Sequence, residues 1–199
     1  MKGTPGPRQE KALSAMGKAG VRAIVLVGFM GAGKTSVGRV LNRTLGWPFV
    51  DLDDRIQARE GRTIAEIFQQ AGESQFRESE LAALEELLRE VESGEPLIIA
   101  LGGGAFVQDR IARMLENSGS VTVFLDAPAS ELWRRCEADV VKRPLRREEE
   151  DFQRLYEKRR SRYLEAEIRI ETAGREIEGI AREIGESLRL NTGVSGQEK

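Results

Sequence analysis

The sequence predicts a doubly wound α/β domain built on a five-stranded parallel sheet, and three observations carry that prediction. Short β-branched runs alternate with longer segments of helical period, the pattern of successive βαβ units. Several of the apolar runs end directly in glycine-rich or acidic segments, as strands do where such sheets bind ligands. At 199 residues the chain is long enough to bury one sizeable core without crosslinks.

Strands are expected at residues 23–27, 48–51, 97–101, 121–125 and 168–170. Between and after them, residues 34–45, 73–91, 108–117, 130–138, 151–166 and 175–190 place Leu, Ile, Val or Ala at helical spacing. Thr63 followed by Glu66 has the form of a capping box. Residues 140–151 carry many charges and Pro144 but no apolar face, which predicts a mobile lid. A single domain is expected at residues 21–190, preceded by a polar, flexible extension at 1–20 and followed by a disordered tail at 191–199. No internal repeat interrupts it.

Composition excludes several classes of function. With 31 basic and 33 acidic side chains the net charge is -2, too small to hold a nucleic acid or an anionic membrane. The chain contains no histidine, so Ser-His and Cys-His catalysis and imidazole metal ligation are out. A single cysteine, Cys136, precludes an internal disulfide and fits a cytoplasmic setting. No apolar run approaches the ~20 residues of a membrane span, and no secretory signal is evident.

The strongest motif follows the first strand. Gly28-Phe29-Met30-Gly31-Ala32-Gly33-Lys34-Thr35 satisfies G-x-x-x-x-G-K-[ST] in full. Its glycines admit positive φ and let backbone amides crowd phosphate oxygens at the positive end of the next helix. Lys34 is placed to reach the β- and γ-phosphates, and the Thr35 hydroxyl to ligate Mg²⁺. A phosphate loop alone leaves GTPases, motors, transporter ATPases and small-molecule kinases open. The absence of N-K-x-D and the short chain favour a compact kinase.

Acidic groups for that kinase lie at Asp51-Leu52-Asp53-Asp54, where strand alternation would put Asp51 and Asp53 on one side. If this strand neighbours the phosphate-loop strand, one carboxylate can order Mg²⁺ and the other accept a hydroxyl proton. Alternatively the cluster is an acidic turn, with Asp54 capping the next helix. Asp126, at the end of an apolar run, is a competing metal carboxylate.

Five motifs in order give the chain its family resemblance: the phosphate loop, Asp51-Leu52-Asp53, Phe76-Arg77-Glu78-Ser79-Glu80, Gly102-Gly103-Gly104 and Arg143-Pro144-Leu145. Together they resemble shikimate kinase, a P-loop fold of the nucleoside-monophosphate-kinase type, over residues 22 to about 190. The resemblance implies transfer of the ATP γ-phosphate to the 3-hydroxyl of shikimate, with Mg²⁺, by a monomer that needs no macromolecular partner. It implies that Gly31, Ala32, Gly33, Lys34, Thr35 and Ser36 bind ATP, with Arg135 and Arg175 flanking the adenine and Arg143 swinging over the phosphate. Asp51, with Thr35, would serve the metal shell, Asp51 through water. Asp53 would hold the acceptor hydroxyls and act as base, while Arg77, Gly102, Gly103, Gly104 and Arg159 bind the acceptor. Lys34, Asp53 and Arg143 are thus the catalytic set.

Each of these positions has a plainer alternative: Arg77 as a solvated charge paired with Glu80, the glycines as a flexible loop, Arg143-Pro144 as a turn, Arg135 and Arg175 as surface charges. Arg160 and Arg162 compete with Arg159. Two departures from the family pattern are Ser161, where a proline is usual, and Arg146, where a second leucine is common. The competing functions are a gluconate-type sugar-acid kinase and a nucleotide-binding regulatory domain without phosphotransfer.

Overall fold

A computed structural model describes residues 21–138 and 149–188. The expected extension, the tail, most of the lid and Arg143 lie outside the described residues. The order of elements is β1 (Ala23–Val27), α1 (Lys34–Leu45), β2 (Phe49–Asp51), α2 (Leu52–Glu60), α3 (Ile64–Ser93), β3 (Leu97–Ala100), α4 (Asp109–Asn117), β4 (Val121–Asp126), α5 (Ala129–Ala138), α6 (Glu149–Tyr163), β5 (Ile168–Glu171) and α7 (Ile177–Ser187). The five strands form one parallel sheet in the order β2-β3-β1-β4-β5.

Burial follows that order. Every residue of β1 and β4 is buried, which is why they read as continuous apolar runs. At the edge, β5 alternates, with Ile170 buried between exposed neighbours. Around the sheet α1 packs against α7, β2 and β3, α2 packs on α3, and α5 packs on α6. Fully buried Ile24, Leu26, Leu41, Leu84 and Ile184 anchor these layers, each worth roughly 1.5–3 kcal/mol of burial. No helix among the described residues is long and apolar enough to cross a membrane.

Several boundaries differ from expectation for identifiable reasons. The strand β2 is not beside β1, because β3 lies between them. The helix α2 starts at the end of β2 with no intervening loop, so Asp53 sits in a helical turn and strand alternation does not apply to it. It is Asp51, not Asp54, that caps this helix, accepting the Asp53 amide at 3.1 Å. Helix α3 begins at Ile64, behind the expected capping box of Thr63 and Glu66, and is broken at Gly72. Residues 149–151, taken as lid, form the first turn of α6, where their acidic side chains suit the helix dipole. Arg175 precedes α7 and does not belong to it.

Gly38 shows how tightly α1 meets the sheet. A Cβ there would lie 2.2 Å from the Phe49 ring. Alanine is worth about 1 kcal/mol over glycine inside a helix, but overpacking costs about 1–3 kcal/mol. Gly38→Ala is therefore expected to lose about 1 kcal/mol net, read from its urea midpoint; a gain in stability would show that Phe49 yields freely.

Candidate active site

The turn from β1 into α1 is shaped by what crowds it. Gly31 has φ +78°, and a Cβ on it would meet the Leu132 carbonyl at 2.7 Å and Cys136 Sγ at 2.9 Å on α5. Glycine is required there on both counts. At the helix start, Gly33 supplies no side-chain cap, so the first amides of α1 are not spent on one. That is the ordinary anion site of a helix N-terminus.

Lys34 and Thr35 begin α1. The Lys34 ammonium donates to the carbonyls of Gly28 at 2.8 Å and Phe29 at 3.0 Å, so its charge is held over the loop. Thr35 Oγ1 donates to Asp51 Oδ2 at 2.7 Å. Asp51 thus reaches the phosphate loop although its strand is one removed from β1. Ala32 is buried within the loop, while Ser36 is exposed on the first turn of α1.

Across β1, the triple glycine leaves β3, continuing its ladder by the Leu101 amide to the Leu26 carbonyl at 3.0 Å. Charged side chains cover it closely. A Cβ on Gly102 would lie 2.8 Å from Asp53 Oδ1 and 3.1 Å from Glu80 Oε1; one on Gly104 would lie 2.8 Å from Arg77 Nη2. Arg159 Nη1 donates to the Gly103 carbonyl at 3.3 Å, and the Tyr163 hydroxyl donates to the same carbonyl. Asp53, Arg77, Arg159 and the three glycines therefore share one place, beside the phosphate loop.

Glu80 is the residue that sequence reasoning undervalued. It is fully buried, accepts Arg77 Nη1 at 2.8 Å and Gln108 Nε2 at 2.6 Å on Oε2, and has no hydrogen-bond partner for Oε1 among the described residues. The expected Arg77–Glu80 pair exists, then, and it is part of the site. Glu73 takes the other side of the same guanidinium, accepting Nε at 3.3 Å and Nη2 at 3.0 Å. Burial pushes the Glu80 carboxyl above the usual range, opposed by Arg77 and Gln108 and assisted by the charge of Asp53.

The late-helix arginines separate by partner. Arg160 is bonded to Asp126 at 2.8 Å, and Arg162 pairs with Asp109 and Glu165. Arg159 has no carboxylate partner among the described residues and lies 5.8 Å over the Phe29 ring. Phe29 itself meets Phe152 and Tyr156 edge-on, tying the phosphate loop to α6. On the far side, Arg135 Nη2 donates to the Thr172 carbonyl at 2.9 Å, and the Arg175 amide donates to the same carbonyl at 3.4 Å. Of the two arginines expected to flank a base, only Arg135 brings its side chain to Thr172; the Arg175 guanidinium donates to the Glu171 carbonyl at 2.9 Å and pairs with Glu183 at 2.6 Å.

Among the described residues no group of three or more acidic, Cys or His side chains could hold a metal by itself. Thr35 and Asp51 offer hard oxygen donors in contact with each other, which fits Mg²⁺ carried in on phosphates.

Glu80 gives a pH test of this geometry. Its raised folded-state pKa means that the folded chain binds more proton than the unfolded one just above the ordinary glutamate value, so stability falls as pH rises through that window. Glu80→Gln removes the effect. Relative to wild type, the variant is expected to gain stability as pH rises above about 4.5 in urea titrations. A relative loss over that range would mean that Arg77 outweighs burial.

Comparison with known proteins places the geometry in context. The family model described as "SKI: Shikimate kinase" matches residues 30–189. The chain is similar to a shikimate kinase from Persephonella marina, with 37% identity over 164 residues that cover 82% of this chain and 97% of that one. It is also similar to one from Cereibacter sphaeroides, with 40% identity over 170 residues, 84% of this chain and 82% of the other. Among solved structures, a shikimate kinase from Acinetobacter baumannii in complex with shikimate superposes with a TM-score of 0.75 at 35% identity, covering 85% of this chain and 94% of that one.

Proposed function

The chain belongs to the shikimate kinase family, and we propose that its residues divide the transfer of the ATP γ-phosphate to the 3-hydroxyl of shikimate as follows. Asp53 takes the hydroxyl proton, the freed oxygen attacks the γ-phosphorus, and ADP leaves with the bridging oxygen. Lys34 turns from the Gly28 and Phe29 carbonyls to the phosphates, where charge builds in the transition state. Thr35 and Asp51 would hold the metal, the latter through water. Mg²⁺ brought in with ATP would supply charge neutralisation at the phosphates. Arg135 and Arg175 lie along the base, and Arg143 keeps the phosphate role that the family resemblance implies. The enzyme acts as a cytoplasmic monomer with ATP and shikimate as its small-molecule partners.

One observation carries the acceptor assignment. Two arginines line the triple glycine together with Asp53, Arg77 beside Gly104, Arg159 on the Gly103 carbonyl and Asp53 beside Gly102. Phosphate is already served by Lys34 and the amides of the loop, so further guanidinium groups imply an acidic acceptor. A planar fork holds a carboxylate bidentately, as a lysine cannot. The pairing of Arg77 with buried Glu80 supports this use, since it holds one edge of the guanidinium fixed.

Truncating Arg77 would leave the buried Glu80 carboxyl with Gln108 alone, a loss of up to about 3–5 kcal/mol that would confuse any assay. Arg77→Lys is the better probe because it keeps the charge. Losing a charged hydrogen-bond partner of about 1.5–3 kcal/mol should raise the shikimate KM roughly ten- to a hundredfold, with ATP use little changed. The same substitution should matter little for an acceptor whose carboxylate is replaced by an amide. Equal losses on both acceptors would give Arg77 a structural role.

A further inference from the structure

Asp126 ends β4 at 3% exposure, where a metal-binding acid of a P-loop enzyme would be sought. Both its oxygens are spent on side chains. The Tyr156 hydroxyl donates to Oδ1 at 3.0 Å, Arg160 Nη2 to Oδ2 at 2.8 Å, and Arg169 to Oδ2 through Nε at 2.9 Å and Nη2 at 2.8 Å. Two guanidinium groups on one buried carboxylate leave an excess of positive charge, the opposite of what a divalent cation needs.

The two partners from α6 sit one turn apart and are joined to each other, Arg160 Nε donating to the Tyr156 hydroxyl at 3.0 Å. They fix which face of α6 meets the end of β4. A helix advances about 100° per residue, so fixing Arg160 also fixes where Arg159 points. Arg159 then falls over Phe29 and the Gly103 carbonyl, and Tyr163, one turn further, bonds that same carbonyl. Holding α6 only at Tyr163 would leave the rotation of the preceding turn to apolar packing, which is less directional than hydrogen bonds to a buried carboxylate.

We propose that Asp126 is a positioning residue for the acceptor: through Tyr156 and Arg160 it sets the rotation of α6 that delivers Arg159 to Gly103, and it takes no part in metal binding. This rests on Arg159 being an acceptor contact. Breaking the anchor should then impair acceptor binding with little effect on nucleotide binding, and only as long as Arg159 is there to be misplaced.

The test is a set of double-mutant cycles in the full chain. Asp126→Asn and the milder Tyr156→Phe are each made alone and with Arg159→Lys, and KM for shikimate, KM for ATP and the Mg²⁺ titration of turnover are measured. Asp126→Asn is expected to raise the shikimate KM about five- to tenfold, with Tyr156→Phe smaller in the same direction; ATP KM and the Mg²⁺ midpoint stay within about twofold. In the Arg159→Lys background either change should add less than about twofold. An unchanged shikimate KM, a displaced Mg²⁺ midpoint, or losses that multiply in full across the cycle overturns the proposal. Should Asp126→Asn fail to fold, the Tyr156→Phe cycle decides by the same criteria. An Arg159→Lys variant with unaltered shikimate KM would instead overturn the assignment of Arg159 on which the inference depends.

Discussion

Parallel pairing of β1 with β3 on one side and β4 on the other decides where every functional loop emerges. All three strands end at the same edge of the sheet, so the phosphate loop, the triple glycine and Asp126 are neighbours whatever lies between them in the chain. The register Leu26 to Ala100 and Val27 to Phe124 keeps these ends nearly level. Because β1 and β4 are buried along their whole length, that edge is as rigid as the core beneath it. A site that must align a nucleotide with an acceptor gains from such a base, since small displacements of reacting groups are costly.

On this edge the arginines are sorted by the acids that face them. Arg160 and Arg169 are committed to Asp126, Arg162 to Asp109 and Glu165, and Arg77 is divided between Glu80 and Glu73. These pairs differ in worth. Exposed pairs such as Arg110–Glu78 contribute about 0–1 kcal/mol, whereas taking the guanidinium from a buried carboxylate such as Glu80 costs up to about 3–5 kcal/mol. The buried pairs are therefore the ones that fix geometry. Glu80 holds Arg77 above Gly104, and the Asp126 cluster holds α6 under Arg159. Close approach without side chains at Gly102 and Gly104 lets the charges meet a bare backbone, where a Cβ would collide.

Much of this was legible in the sequence because it is local. The five strands appear within about two residues of their expected places, and the phosphate loop, the triple glycine and F-R-x-x-E are contiguous strings whose chemistry depends on their own spacing. The gluconate-type and non-catalytic alternatives fall to the family match. What was not legible is set by tertiary pairing. Strand order cannot be read from a run of apolar residues, so the sequence does not say whether β2 lies beside β1. Helix α2 was missed because only Leu52 and Ile56 on it are buried, too few to mark a period. Asp126 competed with Asp51 as a metal carboxylate because the side chains it meets lie 30 to 43 residues further along the chain. Likewise, nothing local distinguishes Arg159 from Arg160 and Arg162. Only the placement of Asp126 and Asp109 does so.

The central claim is that the phosphate loop and the arginine-lined site beside it serve one reaction, phosphoryl transfer to an acidic hydroxyl compound. Its most direct measurement is release of ADP from Mg²⁺-ATP by the full chain, followed with and without shikimate, with the phosphorylated acid identified by ³¹P NMR. ADP release is expected to depend on shikimate and to match the phosphomonoester formed mole for mole. ADP released at the same rate without shikimate, or release with no phosphomonoester formed, would contradict it.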